Sequence, residues 1–107
     1  MTQQEFEALI AGDRLVLVDF YATWCGPCRA MHPVLDALHS QMQNAVDVVR
    51  LDVDRHENTQ PVQHYRVMSV PTLILFRQGR VLWRESGVLT LDTLLDVVRR
   101  FERVEVY

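Results

Sequence analysis

An apolar run, Leu15-Val16-Leu17-Val18-Asp19-Phe20, leads through a short turn into Trp24-Cys25-Gly26-Pro27-Cys28, where an apolar stripe of helical period begins. Both cysteines of the chain lie in this junction. A buried strand running into a helix fixes a β-turn-α unit, and the Cys-x-x-Cys spacing places a dithiol on the helix's first turn. The chemistry favours that place. A thiolate is the reactive form of cysteine, and a helix N-terminus stabilises it with unpaired N–H groups and the macrodipole. Pro27 suits a first turn, where its missing N–H costs nothing.

Other uses of the pair fit less well. Structural zinc takes four Cys or His ligands, and one Cys-x-x-Cys supplies two. His32 lies one turn beyond Cys28, but a second pair is missing from the sequence. A purely structural disulfide here would close a loop too short to restrain the unfolded chain much. Two buried, silent cysteines fit the spacing, but the Trp before them and the Gly-Pro between them argue for reactivity. His32, His39, His56 and His64 share no ligand spacing and receive no role, so neither metal nor cofactor is expected.

At 107 residues, nearly half of them hydrophobic, the chain has the size of one domain with its own core, taken as residues 1–107. A net charge of −3 gives no basic patch for nucleic acid. No apolar stretch approaches the length of a membrane span. The start, Met1-Thr2-Gln3-Gln4-Glu5-Phe6-Glu7, lacks the basic and apolar regions of a secretion signal, so a reducing cytoplasm is the expected setting.

Local signals give an α/β alternation. Thr2 and Glu5 form a capping box and Gly12 a stop, predicting a helix over 2–11. Residues 15–20 read as a buried strand. Apolar positions 28, 31, 35, 38 and 42 give a helix from Cys25 to about Met42, kinked at Pro33; Cys28 faces the core and Cys25 sits at the tip, nearer solvent. A second strand covers 46–53 and a short helix 58–66. Strands 72–76 and 80–84 form an antiparallel hairpin through Gln78-Gly79. Thr90 caps a last helix with apolar positions 91, 94, 95, 98 and 101.

The stretch from Val18 to Arg29 resembles the active-site segment of the thioredoxin family. Val70-Pro71-Thr72, ahead of an apolar strand, resembles that family's cis-proline segment, and Gly87 its glycine after the hairpin. These marks fall in family order over almost the whole chain. The resemblance implies an α/β thioredoxin fold, a central mixed sheet of about four strands with helices on both faces. Four departures stand out. The helix at Thr2 leaves little room for the family's first strand; Arg55-His56 lengthen the loop after Asp54; Arg50 stands where lysine is common; and Tyr21 stands where tryptophan or another aromatic is common. A missing strand would leave residues 46–53 as an exposed edge. The alternating tail Arg103-Val104-Glu105-Val106-Tyr107 either pairs along a sheet edge or frays, fraying being the simpler reading.

The resemblance also distributes roles. Cys25 attacks a substrate disulfide and Cys28 resolves the mixed disulfide, leaving a redox disulfide Cys25–Cys28. Asp19, a carboxylate in an apolar strand, has a pKa raised by desolvation and exchanges a proton with Cys28; read from the residues alone, a hydrogen-bonded structural carboxylate serves as well. Trp24, Gly26, Pro27 and Arg50 tune the site, Arg50 by screening Asp19. Pro71 carries a cis bond facing the dithiol, which frees the Val70 backbone for an extended substrate. Trp24, Val70, Pro71, Gly87 and Val88 form a substrate-docking rim. The implied function is a monomeric protein dithiol–disulfide oxidoreductase, reducing protein disulfides and recharged by a thioredoxin reductase. A disulfide oxidase or isomerase, and a non-catalytic binding module, are the competing readings. Gly-Pro between the cysteines favours the reductant, and intact Cys25, Cys28, Asp19 and Pro71 weigh against a bare module.

Overall fold

Thr2 begins the first helix as expected. Its Oγ1 accepts a hydrogen bond from the Glu5 amide, and the Glu5 carboxylate accepts one from the Thr2 amide, so two otherwise unpaired donors are satisfied. The computed structural model describes residues 1–102. Helix α1 (Gln3–Ile10) is followed by β1 (Leu15–Tyr21), α2 (Gly26–Met42), β2 (Val46–Asp52), a 3-10 turn (His56–Asn58), α3 (Thr59–His64), β3 (Thr72–Arg77), β4 (Arg80–Ser86) and α4 (Leu91–Glu102). Gly12 is not a left-handed stop, since positive φ among the glycines is confined to Gly79 and Gly87. The end of α1 is tied down differently. The Ile10 and Gly12 carbonyls accept from Gly79 N and Gln78 N in the β3–β4 turn.

The sheet order is β2-β1-β3-β4, with β1 parallel to β2 and antiparallel to β3, and β3 antiparallel to β4. This is the mixed four-stranded sheet the resemblance implied. No strand precedes α1 among the described residues, and β2 forms one edge, as the sequence predicted for 46–53. The expected pairing or fraying of the tail concerns residues 103–107, which lie outside the described residues.

Alternation along β1 divides the core into two. Leu15 and Leu17 pack with Met31, Leu35, Leu38 and α4 on one face; Val16, Val18 and Phe20 pack with Phe6, Ile10 and Phe76 on the other. Helices therefore cover both faces. The apolar stripe of α2 is buried at Cys28, Met31, Leu35 and Leu38, and the helix continues through Pro33. Thr90 caps α4, its Oγ1 accepting from Thr93 N at 3.2 Å. In α4 the core also takes Val97, which the expected stripe omitted. The hairpin turns on Gln78 at φ 52° and Gly79 at φ 76°, both left-handed, as a two-residue turn joining twisted strands requires.

Candidate active site

Strand β1 ends at Tyr21, and the chain turns once before α2. In that turn the Cys25 amide donates to the Ala22 carbonyl at 3.2 Å. Cys25 then occupies the N-cap of α2 in an extended conformation, and its Sγ accepts from the Cys28 amide at 3.1 Å. Sulfur takes the place that a serine or aspartate oxygen fills in an ordinary cap. The same interaction stabilises a thiolate there. Pro27 lies in the first turn, as predicted.

Cys25 and Cys28 form a disulfide, with Cα atoms 5.2 Å apart, inside the usual range for such a bridge. Cys25 is the more exposed partner, but by little: 4 % against 0 % for Cys28. The tip of the helix is thus less open than its periodicity suggested. What covers it is the segment before β3. The Val70–Pro71 bond is cis, and the Val70 carbonyl oxygen lies 3.7 Å from Cys25 Sγ.

Beside the disulfide runs a groove of about 450 Å³, lined by Trp24, Cys25, Pro27, Val67, Met68 and Val70 among others. Trp24 is 68 % exposed, yet its indole N–H donates to Asp54 Oδ2 at 2.7 Å, which fixes the ring. Pro71, Gly87 and Val88 do not line the groove, and Pro71 is buried. Gly87 supports it from behind, its amide donating to the Pro71 carbonyl at 3.0 Å. Its φ of +97° is a conformation that only glycine adopts readily. Val88 lies half exposed beside it. Sequence reasoning missed Asp54, Val67 and Met68. The acidic pair Asp52 and Asp54 at the end of β2 was the one available signal for Asp54.

Asp19 is fully buried, and neither carboxylate oxygen has a hydrogen-bond partner among the described residues. Burial pushes the Asp19 pKa up to about 6, and the positive charge of Arg50 pulls it part of the way down. Asp19 lies on the face of β1 that carries Leu15 and Leu17 and packs against α2, the helix of both cysteines. Arg50 stands beside Asp19 in the β1–β2 register. Its guanidinium, however, is bound to α2, donating to the His32 carbonyl at 2.9 Å and to Asp36 Oδ1 at 3.1 Å. Screening is thus through space, without a hydrogen bond to Asp19. Tyr21 packs edge-on against the His32 ring, 5.9 Å between centroids.

Among the described residues, no His, Cys, Asp and Glu cluster could hold a metal ion, and no helix is long and apolar enough to cross a membrane.

The thioredoxin family model matches residues 1–100. The chain belongs to the thioredoxin family. A thioredoxin of Alicyclobacillus acidocaldarius is 48 % identical over 80 residues, 75 % of this chain and 74 % of that relative. A thioredoxin of Chlamydia trachomatis is 37 % identical over 102 residues, 95 % of this chain and 96 % of its own length. Among solved structures, the thioredoxin of Malassezia sympodialis (Mala s 13) aligns with a TM-score of 0.83 at 27 % identity, covering 94 % of this chain and 88 % of that one. Family membership and the Cys25–Cys28 pair make the chain a dithiol–disulfide oxidoreductase. Thioredoxins commonly act with a thioredoxin reductase and with disulfide substrates.

Proposed function

We propose that this chain, as one domain and a monomer, reduces disulfides of proteins in a reducing cytoplasm. The observation that carries the reading is the position of Cys25 Sγ, capped by the Cys28 amide and set at the edge of an apolar groove. In the reduced protein, Cys25 is the nucleophile. Its thiolate attacks one sulfur of the substrate disulfide, the substrate S–S bond breaks, and the leaving sulfur takes up a proton. Cys28 then gives its proton to Asp19 and attacks Cys25 Sγ. The mixed disulfide opens, the Cys25–Cys28 bond closes, and the substrate departs with both sulfurs reduced. Two electrons have moved from the protein to the substrate. A thioredoxin reductase, of the flavoprotein type that draws on NADPH, returns them.

An unpartnered, desolvated carboxylate suits the proton step. Ionisation near pH 6 lets Asp19 accept a proton at neutral pH without holding it too tightly. Trp24 and Val70 form the docking surface, with Pro71 buried behind Val70 and Gly87 and Val88 beside it, while Gly26, Pro27 and Arg50 tune the couple. The apolar groove favours an extended protein segment over a small polar disulfide.

The reduction potential separates this reading from an oxidase or isomerase. Equilibrating the Cys25–Cys28 couple with glutathione or dithiothreitol buffers, and reading the oxidised fraction by mass, should give a potential well below about −200 mV. Thioredoxins at large lie at about −270 mV. A potential at or above about −180 mV, where isomerases lie, would assign the chain to the oxidising side.

A further inference from the structure

The chain has four methionines, and three of them are packed. Met31 is fully buried, its sulfur accepting from the Leu89 amide at 3.3 Å. Met1 and Met42 lie against the two cores. Met68 is different: it is 91 % exposed and lines the groove beside Cys25 and Trp24. Docking as described above needs an apolar surface at this point, which leucine or isoleucine would supply. It does not need a thioether.

A thioether carries chemistry that those side chains lack. It reacts with a hydroperoxide by oxygen transfer: the sulfur lone pair attacks one peroxide oxygen, an S–O bond forms and the O–O bond breaks. Water or an alcohol leaves, sulfur is oxidised by two electrons and the peroxide is reduced by two. The product is a polar, chiral sulfoxide.

We propose that Met68 is a peroxide-sensitive modification site whose oxidation weakens the docking of protein disulfides in the groove while leaving the Cys25–Cys28 chemistry intact. The proposal rests on the groove being the docking surface. A docked protein covers Met68 and strips water from whatever stands there. The thioether loses nothing by this, because it is apolar and adaptable. The sulfoxide oxygen loses its hydration and finds little in return. Among the nearby lining side chains, Val53, Val67 and Val70 carry no donor, the Trp24 indole N–H is engaged by Asp54, and the one hydroxyl is that of Ser69. A buried acceptor without a partner is costly, so affinity falls. A small disulfide reaches Cys25 without covering Met68 and is spared.

The test uses the full chain with the Cys25–Cys28 disulfide closed, so that the cysteines are protected. Hydrogen peroxide is applied and removed, and peptide masses locate the added oxygen. The dithiol is then reduced, free reductant is removed, and single-turnover rates are measured with insulin and with 2-hydroxyethyl disulfide. One oxygen should be found at Met68 before any other methionine. The insulin rate constant should fall by about fivefold or more relative to untreated protein, and the small-disulfide rate should hold. In Met68→Leu, treated and untreated protein should give the same insulin rate as each other. The proposal is overturned if insulin reduction survives full oxidation of Met68, if both substrates slow equally, or if Met68→Leu loses as much as the native chain. If untreated protein reduces the small disulfide and never insulin, the docking reading fails first and the proposal falls with it.

Discussion

Replacing Cys28 by serine is expected to leave the protein covalently joined to its substrates. Cys25 keeps its N-cap position and can still attack. With the resolving thiol gone, the mixed disulfide has no partner at hand to open it. Incubating reduced Cys28→Ser with disulfide-bonded proteins should therefore give dithiothreitol-sensitive adducts on non-reducing gels, with turnover reduced to the level of uncatalysed exchange. Cys25→Ser should form no such adducts, because Cys28 is fully buried and an incoming disulfide cannot reach it. Catalytic turnover by Cys28→Ser at the native rate would exchange or abolish the two roles.

Replacing Asp19 by asparagine is expected to stabilise the fold and slow its chemistry. Burial without a hydrogen bond raises the folded-state pKa from 3.8 to about 6. The folded state thus holds a proton on Asp19 more tightly than the unfolded state does. The sign follows: the site is neutral and harmless below about pH 4, stability falls as pH rises through the window between 3.8 and about 6, and the full penalty persists above it. The gap corresponds to about 3 kcal/mol. Asparagine removes the charge but keeps a buried polar group, so the gain near neutral pH should be about 1–2 kcal/mol. Urea unfolding of the disulfide-closed proteins should show the two curves converging near pH 4 and separating towards pH 8, with Asp19→Asn the more stable. Disulfide reduction near neutral pH should slow by at least about tenfold, as for loss of a general base. Native rates from about pH 6 to pH 9 would remove Asp19 from the mechanism, and parallel stability curves would remove the charge penalty.

The parts of this molecule legible in its sequence are those written locally. The Thr2–Glu5 capping box, the stripe from Cys28 to Leu38, the Gln78-Gly79 turn and the cap at Thr90 each lie within a few residues, and each forms as expected. Asp19 was visible because a carboxylate is foreign to a buried strand. The cis bond before Pro71 followed from family resemblance and not from the local residues, since cis remains the minority state of X–Pro bonds.

The remainder depends on contacts between distant segments. Asp54 meets Trp24 across 30 residues, and no pattern in either segment announces that hydrogen bond. Met68 and Val67 enter the groove because the segment before β3 folds over the dithiol, and the same fold makes Cys25 less exposed than a helix tip would be. The register placed Arg50 beside Asp19, but the fate of its long side chain was decided by Asp36 and the His32 carbonyl on α2. Gly87 and Val88 fall outside the groove for a similar reason: the hydrogen bond to Pro71 turns Gly87 towards the support of the site.

The central claim is that the Cys25–Cys28 dithiol passes two electrons to a protein disulfide. It is tested most directly by mixing fully reduced protein, freed of all other reductant, with disulfide-bonded insulin and counting thiols on both partners by alkylation and mass. One Cys25–Cys28 disulfide should close for each insulin disulfide opened, with a transient adduct through Cys25. Insulin that stays fully oxidised while Cys25 and Cys28 keep both thiols would contradict the account.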